Sequence, residues 1–138
     1  MSDTIDEATW ERLIAEARAA KDRAYAPYSG FEVGAAFLTA DGSVIRGGNI
    51  ENASFGATVC AERVAIGTAV MENRLDFVAL CVITPADHPV APCGICRQVI
   101  AEFATDLPIL LVNDRGDRHL VSLDELLPHR FGASDFSD

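Results

Sequence analysis

Apolar side chains near the N-terminus recur at helical spacing. The positions are Trp10, Leu13, Ile14 and Ala17. Intervals of three and four residues place these side chains on one face, so the pattern predicts a helix over about residues 6–25. Thr4 stands three residues before Glu7, which is the spacing of a capping box at a helix start. Pro27 is expected to end the helix.

Apolar runs of strand length follow this helix. They predict five strands, at residues 31–38, 43–49, 77–83, 109–112 and 119–121. Asp41 and Gly42 form a strong hairpin signal between the first two strands. The third strand reads FVALCVI, a continuous apolar run of the kind that is covered on both faces of a sheet.

Helices are expected between and after these strands. CAER, from Cys60, begins a small apolar helix to about residue 72, and PCGICRQVIAEF begins another. Ser122 and Glu125 form a second capping box before the short helix LDELL. The predicted order is α, β, β, α, β, α, β, β, α. This order indicates an α/β fold, a three-layer α/β/α sandwich with a mixed five-stranded sheet.

Length and composition indicate one globular domain over residues 1–138, with 49% hydrophobic residues and no repeat or Gly/Ser/Pro-rich linker. The acidic start MSDTIDEATW does not resemble a signal peptide, so a cytoplasmic location is expected. No apolar run has the length of a membrane span, so no membrane partner is expected. The net charge of −10 disfavours nucleic acid as a partner. A neutral small molecule or another protein fits such a surface better.

The four cysteines carry the first chemical signal. Cys93 and Cys96 form a C-x-x-C pair, which by itself fits a metal site, a redox dithiol or coincidence. Cys60 begins the other predicted helix, and three thiolates from two helix starts can converge on one Zn²⁺. No convincing fourth protein ligand appears. Cys81 lies in an apolar strand, and each histidine fits an exposed turn or tail; the histidines are His88, His119 and His129. Three ligands and an open position describe a catalytic zinc with water in the fourth place.

Charged residues beside these cysteines suggest a mechanism. Glu62 is placed to take a proton from the zinc-bound water and deliver it elsewhere. Its alternative role is electrostatic stabilisation of a helix start. Zinc with three thiolates carries a net charge of −1, so a positive group should lie nearby. We predict Arg63 as a donor to a ligand sulfur, with Arg97 as the weaker candidate, although each also fits an ordinary surface or helix-pair role.

The chain resembles the zinc-dependent cytidine deaminase superfamily. C-A-E at residues 60–62 precedes P-C-x-x-C by about thirty residues, a signature of that superfamily. FEVGAA from Phe31, GNIENA from Gly48 and CGICRQ from Cys93 resemble the small nucleoside cytidine deaminases. A cysteine at residue 60, where many relatives have His, resembles the homotetrameric branch.

The resemblance implies a reaction and roles for further residues. One Zn²⁺ per subunit would activate water for hydrolytic deamination of cytidine or deoxycytidine, a pyrimidine nucleoside substrate. Asn49 and Glu51 would grip the ribose 3′-hydroxyl, and Phe31 would lie against the pyrimidine. Phe55 and Phe131 would reach a neighbouring subunit's site in a homotetramer. Ile95 stands where relatives often have Ala, so it is expected to narrow the space beside the metal, and Phe55 stands where Tyr is frequent.

Three other functions stay open at this point. A deaminase of the same fold could act on another amino-pyrimidine such as blasticidin S, although Asn49 and Glu51 favour a ribose-bearing substrate. A structural zinc module that binds a protein partner would hold zinc and leave Glu62 without a purpose. A nucleic-acid editor would need a basic channel, for which this acidic chain offers little.

Overall fold

The computed structural model describes residues 5–136, in which helices cover both faces of one mixed sheet. The helices are α1 (Glu7–Lys21), α2 (Ala61–Glu72), α3 (Gly94–Phe103) and α4 (Leu123–Leu126). The strands are β1 (Gly34–Thr39), β2 (Val44–Gly48), β3 (Phe77–Thr84), β4 (Pro108–Asn113) and β5 (Arg118–Ser122). Short 3₁₀ helices at Phe55–Ala57 and Ala133–Phe136 were not predicted. The predicted order of helices and strands is confirmed.

The sheet has the strand order β2-β1-β3-β4-β5, with β3 at its centre. β3 and β4 are parallel, with Leu80 paired to Ile109, and α3 lies between them in the chain. The other pairs are antiparallel, including the β1–β2 hairpin at Asp41 and Gly42. The predicted mixed five-stranded sheet is therefore confirmed.

Two apolar layers enclose the sheet, which explains why its central strands are apolar throughout. On one face, α1 packs on residues that include Ala36, Cys81 and Leu110. On the other face, α2, α3 and α4 pack on residues that include Phe37 and Leu80. Successive residues of a strand point to opposite faces, so both sets are buried and no polar alternation appears. The result is the predicted three-layer α/β/α arrangement.

The first helix differs from its prediction at both ends. Asp6 caps α1, because its Oδ1 accepts a hydrogen bond from the Thr9 backbone N–H at 2.8 Å. The predicted cap, Thr4, lies outside the described residues. The helix ends at Lys21, before the predicted residue 25, because the chain turns and the Tyr25 backbone N–H donates to the Asn49 carbonyl at 2.8 Å. The second predicted capping box, Ser122 with Glu125, has both of its hydrogen bonds.

β1 begins at Gly34, three residues later than predicted. Before Gly34, hydrogen bonds to the Asn49 side chain take the place of backbone hydrogen bonds to a neighbouring strand. Its Nδ2 donates to the Phe31 carbonyl, and its Oδ1 accepts from the Val33 N–H, both at 2.9 Å. Asn49 itself lies one residue beyond β2, which the sequence placed inside the strand. The segment before β1 is therefore held by a side chain and leaves the sheet.

Gly47 lets α2 approach the sheet closely. A Cβ atom at Gly47 would lie 2.3 Å from the Ala61 carbonyl oxygen and 2.4 Å from the Ala65 nitrogen. Neither distance can accommodate a side chain. Because Gly47 has no side chain, the start of α2 can pack directly against the backbone of β2. Across residues 5–136, no helix combines the length and apolar character that crossing a membrane requires.

Candidate metal centre and active site

Three cysteine sulfurs meet where α2 and α3 begin. Cys60 and Cys93 are the residues that precede the first turns of these helices, and Cys96 lies in the first turn of α3. The Sγ atoms of Cys60 and Cys93 are 3.9 Å apart, those of Cys93 and Cys96 are 3.3 Å apart, and all three lie within 4.8 Å of one another. We call these residues the three-sulfur cluster.

The geometry of the three-sulfur cluster suits a zinc ion. Tetrahedral coordination at the usual zinc–sulfur length places two sulfurs about 3.8 Å apart. Thiolates are also ligands that zinc favours, whereas magnesium and calcium favour oxygen. The sulfur separations and the donor type therefore both fit Zn²⁺.

The surroundings of the cluster favour the thiolate form of Cys60. A hydrogen bond from Cys96, and then the Arg63 guanidinium, lower the pKa of Cys60 to about 5. The pKa of Cys96 is raised, first because its thiol donates to the Cys60 sulfur and then because it is buried. The positive ends of two helices face the same place, which adds to the stabilisation of negative charge. In the absence of a metal, the negative charge of the cluster is therefore concentrated on the Cys60 sulfur.

Arg63 lies against this negative charge. Its Nη2 is 3.7 Å from Sγ of Cys60 and 3.4 Å from the Thr58 carbonyl oxygen. Its Nε is buried and has no hydrogen-bond partner among the described residues. The guanidinium is thus held within hydrogen-bond reach of a ligand sulfur by the first turn of α2.

Arg97 does not have its predicted sulfur contact. Its Nε donates to the Pro92 carbonyl and its Nη1 to the Leu126 carbonyl, each at 2.8 Å. Within residues 5–136, no hydrogen bond from Arg97 to a cysteine is found. The planar guanidinium is instead directed at two backbone carbonyls, one of them in the loop before α3.

Glu62 is the buried acid of the site. Its side chain is only 4% exposed, in the first turn of α2. Burial, and then the negative charge of Cys60, raise the pKa of Glu62 to about 7. A carboxyl group with a pKa near neutrality can both accept and release a proton at physiological pH.

One cavity of about 380 Å³ joins the acid, the metal cluster and the predicted substrate residues. We call it the central cavity. Its lining includes Phe31, Val33, Asn49, Glu51, Cys60, Glu62, Val82, Thr84, Pro92 and Cys93. The cavity lies at the carboxyl end of the central strand β3, where α2 and α3 begin. Its volume is that of a small-molecule site.

Asn49 and Glu51 face this cavity from the chain just beyond β2. Between them, Ile50 forms single bridges to Tyr25 and to Val59, so the backbone stays extended and the two side chains share one side. Glu51 Oε1 accepts from the Tyr28 N–H at 2.9 Å, and Ser29 donates to both carboxylate oxygens. The hydroxyl of Ser29, followed by the backbone N–H groups, lowers the pKa of Glu51.

A family model for the zinc-binding region of cytidine and deoxycytidylate deaminases matches residues 8–111. A cytidine deaminase from Halalkalibacterium halodurans is 52% identical over 129 residues, which cover 93% of this chain and 98% of the relative. The chain belongs to the cytidine and deoxycytidylate deaminase family. The predicted family is thus confirmed.

Two further comparisons concern a solved structure and another deaminase. The cytidine deaminase of Burkholderia pseudomallei superimposes with a TM-score of 0.85 at 45% identity, covering 88% of this chain and 98% of that structure. A blasticidin-S deaminase from Bacillus cereus is 34% identical over 110 residues, or 72% of this chain and 76% of the relative. The protein is therefore a zinc-dependent aminohydrolase, and the α/β fold is the one that its cytidine deaminase relatives have.

Several residues singled out for this deaminase family lie outside the central cavity. Ile95 is 64% exposed and is not among the residues that line the central cavity. The expected narrowing beside the metal therefore stays a prediction. Phe55 is 75% exposed and lines a neighbouring cavity of about 350 Å³ with Tyr28. Phe131 is 57% exposed, and Gln98 donates to its carbonyl at 2.8 Å.

Other residues have the environments expected from their sequence context. Cys81 is fully buried between α1 and the sheet, and burial raises its pKa to about 12. The three histidines are exposed, and none belongs to the three-sulfur cluster. These observations leave the cluster with three protein ligands among the described residues.

Sequence reasoning missed the residues that support the active-site wall of this deaminase. The Ser29 hydroxyl donates to Glu51 and accepts a hydrogen bond from the Phe31 N–H at 2.9 Å. Thr58 lines the cavity, and its hydroxyl accepts a hydrogen bond from the Asn52 N–H. Ser29 lies in the short APYSGF stretch two residues before Phe31, which was the available signal. Thr58 had no separate signal.

Proposed function

We propose that the protein catalyses the hydrolytic deamination of cytidine and deoxycytidine to uridine and deoxyuridine, with release of ammonia. The observation that carries this proposal is that Glu62, Cys60 and Cys93 line the same cavity as Phe31. A buried acid beside a metal cluster, facing an aromatic side chain, is suited to chemistry on a planar base. The cytidine deaminases among its relatives support this substrate class.

Cys60, Cys93 and Cys96 are the residues that would hold one Zn²⁺ in each subunit. When bound, zinc supplies Lewis acidity, which makes water a nucleophile at neutral pH. Arg63 donates toward the Cys60 sulfur and offsets the excess negative charge of three thiolates. This arrangement keeps the site electrophilic despite its sulfur ligands.

Glu62 moves the protons of the reaction. Water adds to C4 of cytosine, and Glu62 takes a proton from that water and gives it to N3. A second proton then reaches the exocyclic amino group through Glu62, the C4–N4 bond breaks, and ammonia leaves. The C4–O bond that has formed becomes the carbonyl of uracil. The raised pKa of Glu62 suits both directions of transfer.

Three side chains would orient the nucleoside. Phe31 lies against the pyrimidine, and its 39% exposure leaves ring surface free for that contact. Asn49 and Glu51 each keep hydrogen-bonding capacity beyond the bonds that they make to the chain, and they would bind the ribose 3′-hydroxyl. Those same bonds hold the segment that carries Phe31, so base and sugar contacts would be fixed together.

The functional unit is proposed to be a cytoplasmic homotetramer of single-domain subunits, each domain spanning residues 1–138. The exposed aromatic side chains of Phe55 and Phe131 support an interface near the central cavity, where they would reach a neighbouring subunit's site. Light scattering of the purified protein tests this proposal. Four chains of 14.8 kDa give about 59 kDa, and a monomer mass would refute the assembly.

The reaction is tested by ultraviolet assay with cytidine, deoxycytidine and blasticidin S, each with and without a chelator. We expect turnover of both nucleosides, its loss on chelation, and its return with added Zn²⁺. Turnover of blasticidin S alone would replace the proposed substrate with that of the Bacillus cereus relative. Stable zinc without release of ammonia from any of the three would refute the proposal.

A further inference from the structure

The guanidinium of Arg97 joins two chain segments beside the metal centre. Nε donates to the Pro92 carbonyl and Nη1 to the Leu126 carbonyl, each at 2.8 Å. Pro92 directly precedes Cys93, and Leu126 is the last residue of α4. The donors of a guanidinium are fixed in one plane, so one side chain sets the position of both carbonyls.

We propose that Arg97 is a positioning residue for the metal site, which holds Cys93 in place through its fork to the carbonyls of Pro92 and Leu126. This inference rests on the proposed function, because it concerns the same metal centre. It assigns to Arg97 a mechanical role through the backbone, in place of the predicted donation to a sulfur.

The segment before Cys93 needs such support. Residues 85–92 belong to no helix or strand, and no backbone-to-backbone hydrogen bond outside those elements is found for them in the described chain. Ala91 and Pro92 nevertheless line the central cavity, and Cys93 contributes a sulfur to the cluster. The bond from Arg97 therefore anchors the end of a loop whose position sets both the cavity wall and a metal ligand.

The other end of the fork is also well supported. α4 carries a complete capping box at Ser122, and its Leu123 side chain is fully buried in the core. Leu126 thus offers its carbonyl from an element that is fixed to the sheet. Arg97 transmits this rigidity to the loop at Pro92.

Compensating thiolate charge and holding two carbonyls require different properties of the side chain at residue 97. Compensation of thiolate charge needs only a cation, which Lys would also supply. Holding two carbonyls on separate segments needs two donors in the fixed geometry of Arg. Arg97→Lys therefore separates the two roles, and Arg97→Ala removes both.

Arg130 provides a matched control. Its Nη1 donates to the Thr105 carbonyl at 2.8 Å, and its Nη2 pairs with Asp124. Arg130→Ala therefore also removes two contacts of a half-buried arginine near the C-terminus. Arg130 contacts neither the three-sulfur cluster nor the central cavity.

The test measures metal release in the full-length protein loaded with Co²⁺. Sulfur-to-cobalt charge-transfer absorption reports occupancy, and its decay in excess EDTA gives the release rate. Contacts that orient metal ligands typically contribute 10- to 100-fold to metal affinity. We therefore expect Arg97→Ala and Arg97→Lys to release Co²⁺ roughly 10-fold or more faster than wild type, and Arg130→Ala to stay within about twofold.

Each contrary result has a distinct meaning. If Arg97→Lys releases Co²⁺ at the wild-type rate, the proposed hold on two carbonyls is overturned, and the positive charge alone explains the role of Arg97. Equal acceleration in Arg97→Ala and Arg130→Ala would overturn a specific role in favour of general loosening. A wild-type protein without one Co²⁺ per chain and without charge-transfer absorption would instead refute the proposed metal site itself.

Discussion

Glu62 and Arg63 are neighbours in the first turn of α2, but they face different demands. Glu62 is buried at the cavity, where low polarity raises its pKa to about 7. Arg63 lies over the Cys60 sulfur, where its hydrogen bond to that sulfur, and then the negative charge there, raise the pKa of its guanidinium. One residue can therefore exchange protons near neutral pH, and the other keeps its charge.

Replacement of Glu62 by Gln should abolish most turnover and leave metal binding intact. Gln has the same shape but cannot carry a proton, so kcat should fall roughly 10²- to 10⁴-fold. Zinc content by atomic absorption should stay near one per chain. Glu102→Gln on the exposed side of α3 is the control. Wild-type kcat in Glu62→Gln would refute the proton-transfer role.

Replacement of Arg63 by Gln should reduce both turnover and zinc retention. Without a guanidinium 3.7 Å from the Cys60 sulfur, the three thiolates keep more negative charge at the metal. We expect a loss of roughly 10-fold or more in kcat, measured together with zinc content after dialysis. Arg63→Lys should recover part of the loss. Charge compensation is wrong if Arg63→Gln changes neither quantity.

At the residue scale, local chemistry was easier to predict than contacts over distance. The sequence identified the three ligands because cysteine is one of the few residue types that bind zinc. In addition, Cys60, Cys93 and Cys96 all lie at the predicted starts of two helices. The predicted contact between Arg97 and a ligand sulfur was wrong. Arg97 is next to Cys96 in sequence, but its guanidinium binds a carbonyl of α4, which the local sequence does not show. Ser29 was missed because its only signal was its position two residues before Phe31, and that position does not reveal its hydrogen bond to Glu51.

The elements around the site are fixed by local features of the chain. Asp41 organises the β1–β2 hairpin, since its carboxylate accepts from the Thr39 hydroxyl at 2.5 Å and the Ser43 N–H at 2.9 Å. The Thr39 hydroxyl, then Ser43, and finally the charge of Arg74 lower the pKa of Asp41 to about 2. The hairpin thus depends on the ionised form of one exposed side chain.

Asp41 should make stability depend on acid pH. A folded pKa below the unfolded value stabilises the fold above the unfolded pKa of about 3.8, and this contribution is lost as pH falls toward 2. Asp41→Ala should therefore lower Tm at pH 6, and the difference from wild type should shrink between about pH 4 and 2. Circular dichroism melts measure this change. Arg12→Ala, an exposed change without a carboxylate, should show a constant difference; a constant difference for Asp41→Ala would contradict the prediction.

Two glycines should respond oppositely to alanine. Gly67 lies inside α2 with open space around its Cβ position, so Gly67→Ala should stabilise by about 0.5–1 kcal/mol through helix propensity. Gly47→Ala would press a methyl group against the α2 backbone and should lower the free energy of unfolding by about 1–3 kcal/mol. Urea unfolding compares the two variants. Equal effects would show that the Gly47 contact does not set the position of α2.

At the element scale, the interiors of helices and strands followed from periodicity, whereas their ends did not. FVALCVI predicted the central strand because a strand covered on both faces needs apolar residues throughout. The start of β1 was misplaced because Asn49, sixteen residues from Val33, takes up the backbone groups that a strand would use. Pattern alone cannot report a hydrogen bond that forms only after the chain has folded.

Across the whole molecule, the site is built where separate layers meet. α2 and α3 supply the sulfurs, β3 supplies the floor of the cavity, and the segment before β1 supplies Phe31. The order of elements predicted the layers, but not that residues 90–93 would form a cavity wall. That placement depends on packing between α3 and α4, which are apart in sequence.

Removal of the metal should therefore weaken the whole fold. A ligand that binds the folded chain more tightly than the unfolded chain stabilises it, so EDTA should lower Tm by several degrees and Zn²⁺ should restore it. Differential scanning calorimetry gives the comparison. Cys93→Ser, with one ligand fewer, should respond much less to EDTA. An unchanged Tm in wild-type protein would contradict a metal that ties α2 to α3.

Cys60 and Cys93 stand 33 residues apart, and the span between them includes α2 and the central strand of the sheet. An ion held by both ends would close that span into a ring, much as a cross-link does. A closed ring has fewer unfolded conformations than an open chain, so its ends meet at a smaller entropic penalty. The ion would thus help the middle of the sheet to assemble as well as supply chemistry at its edge.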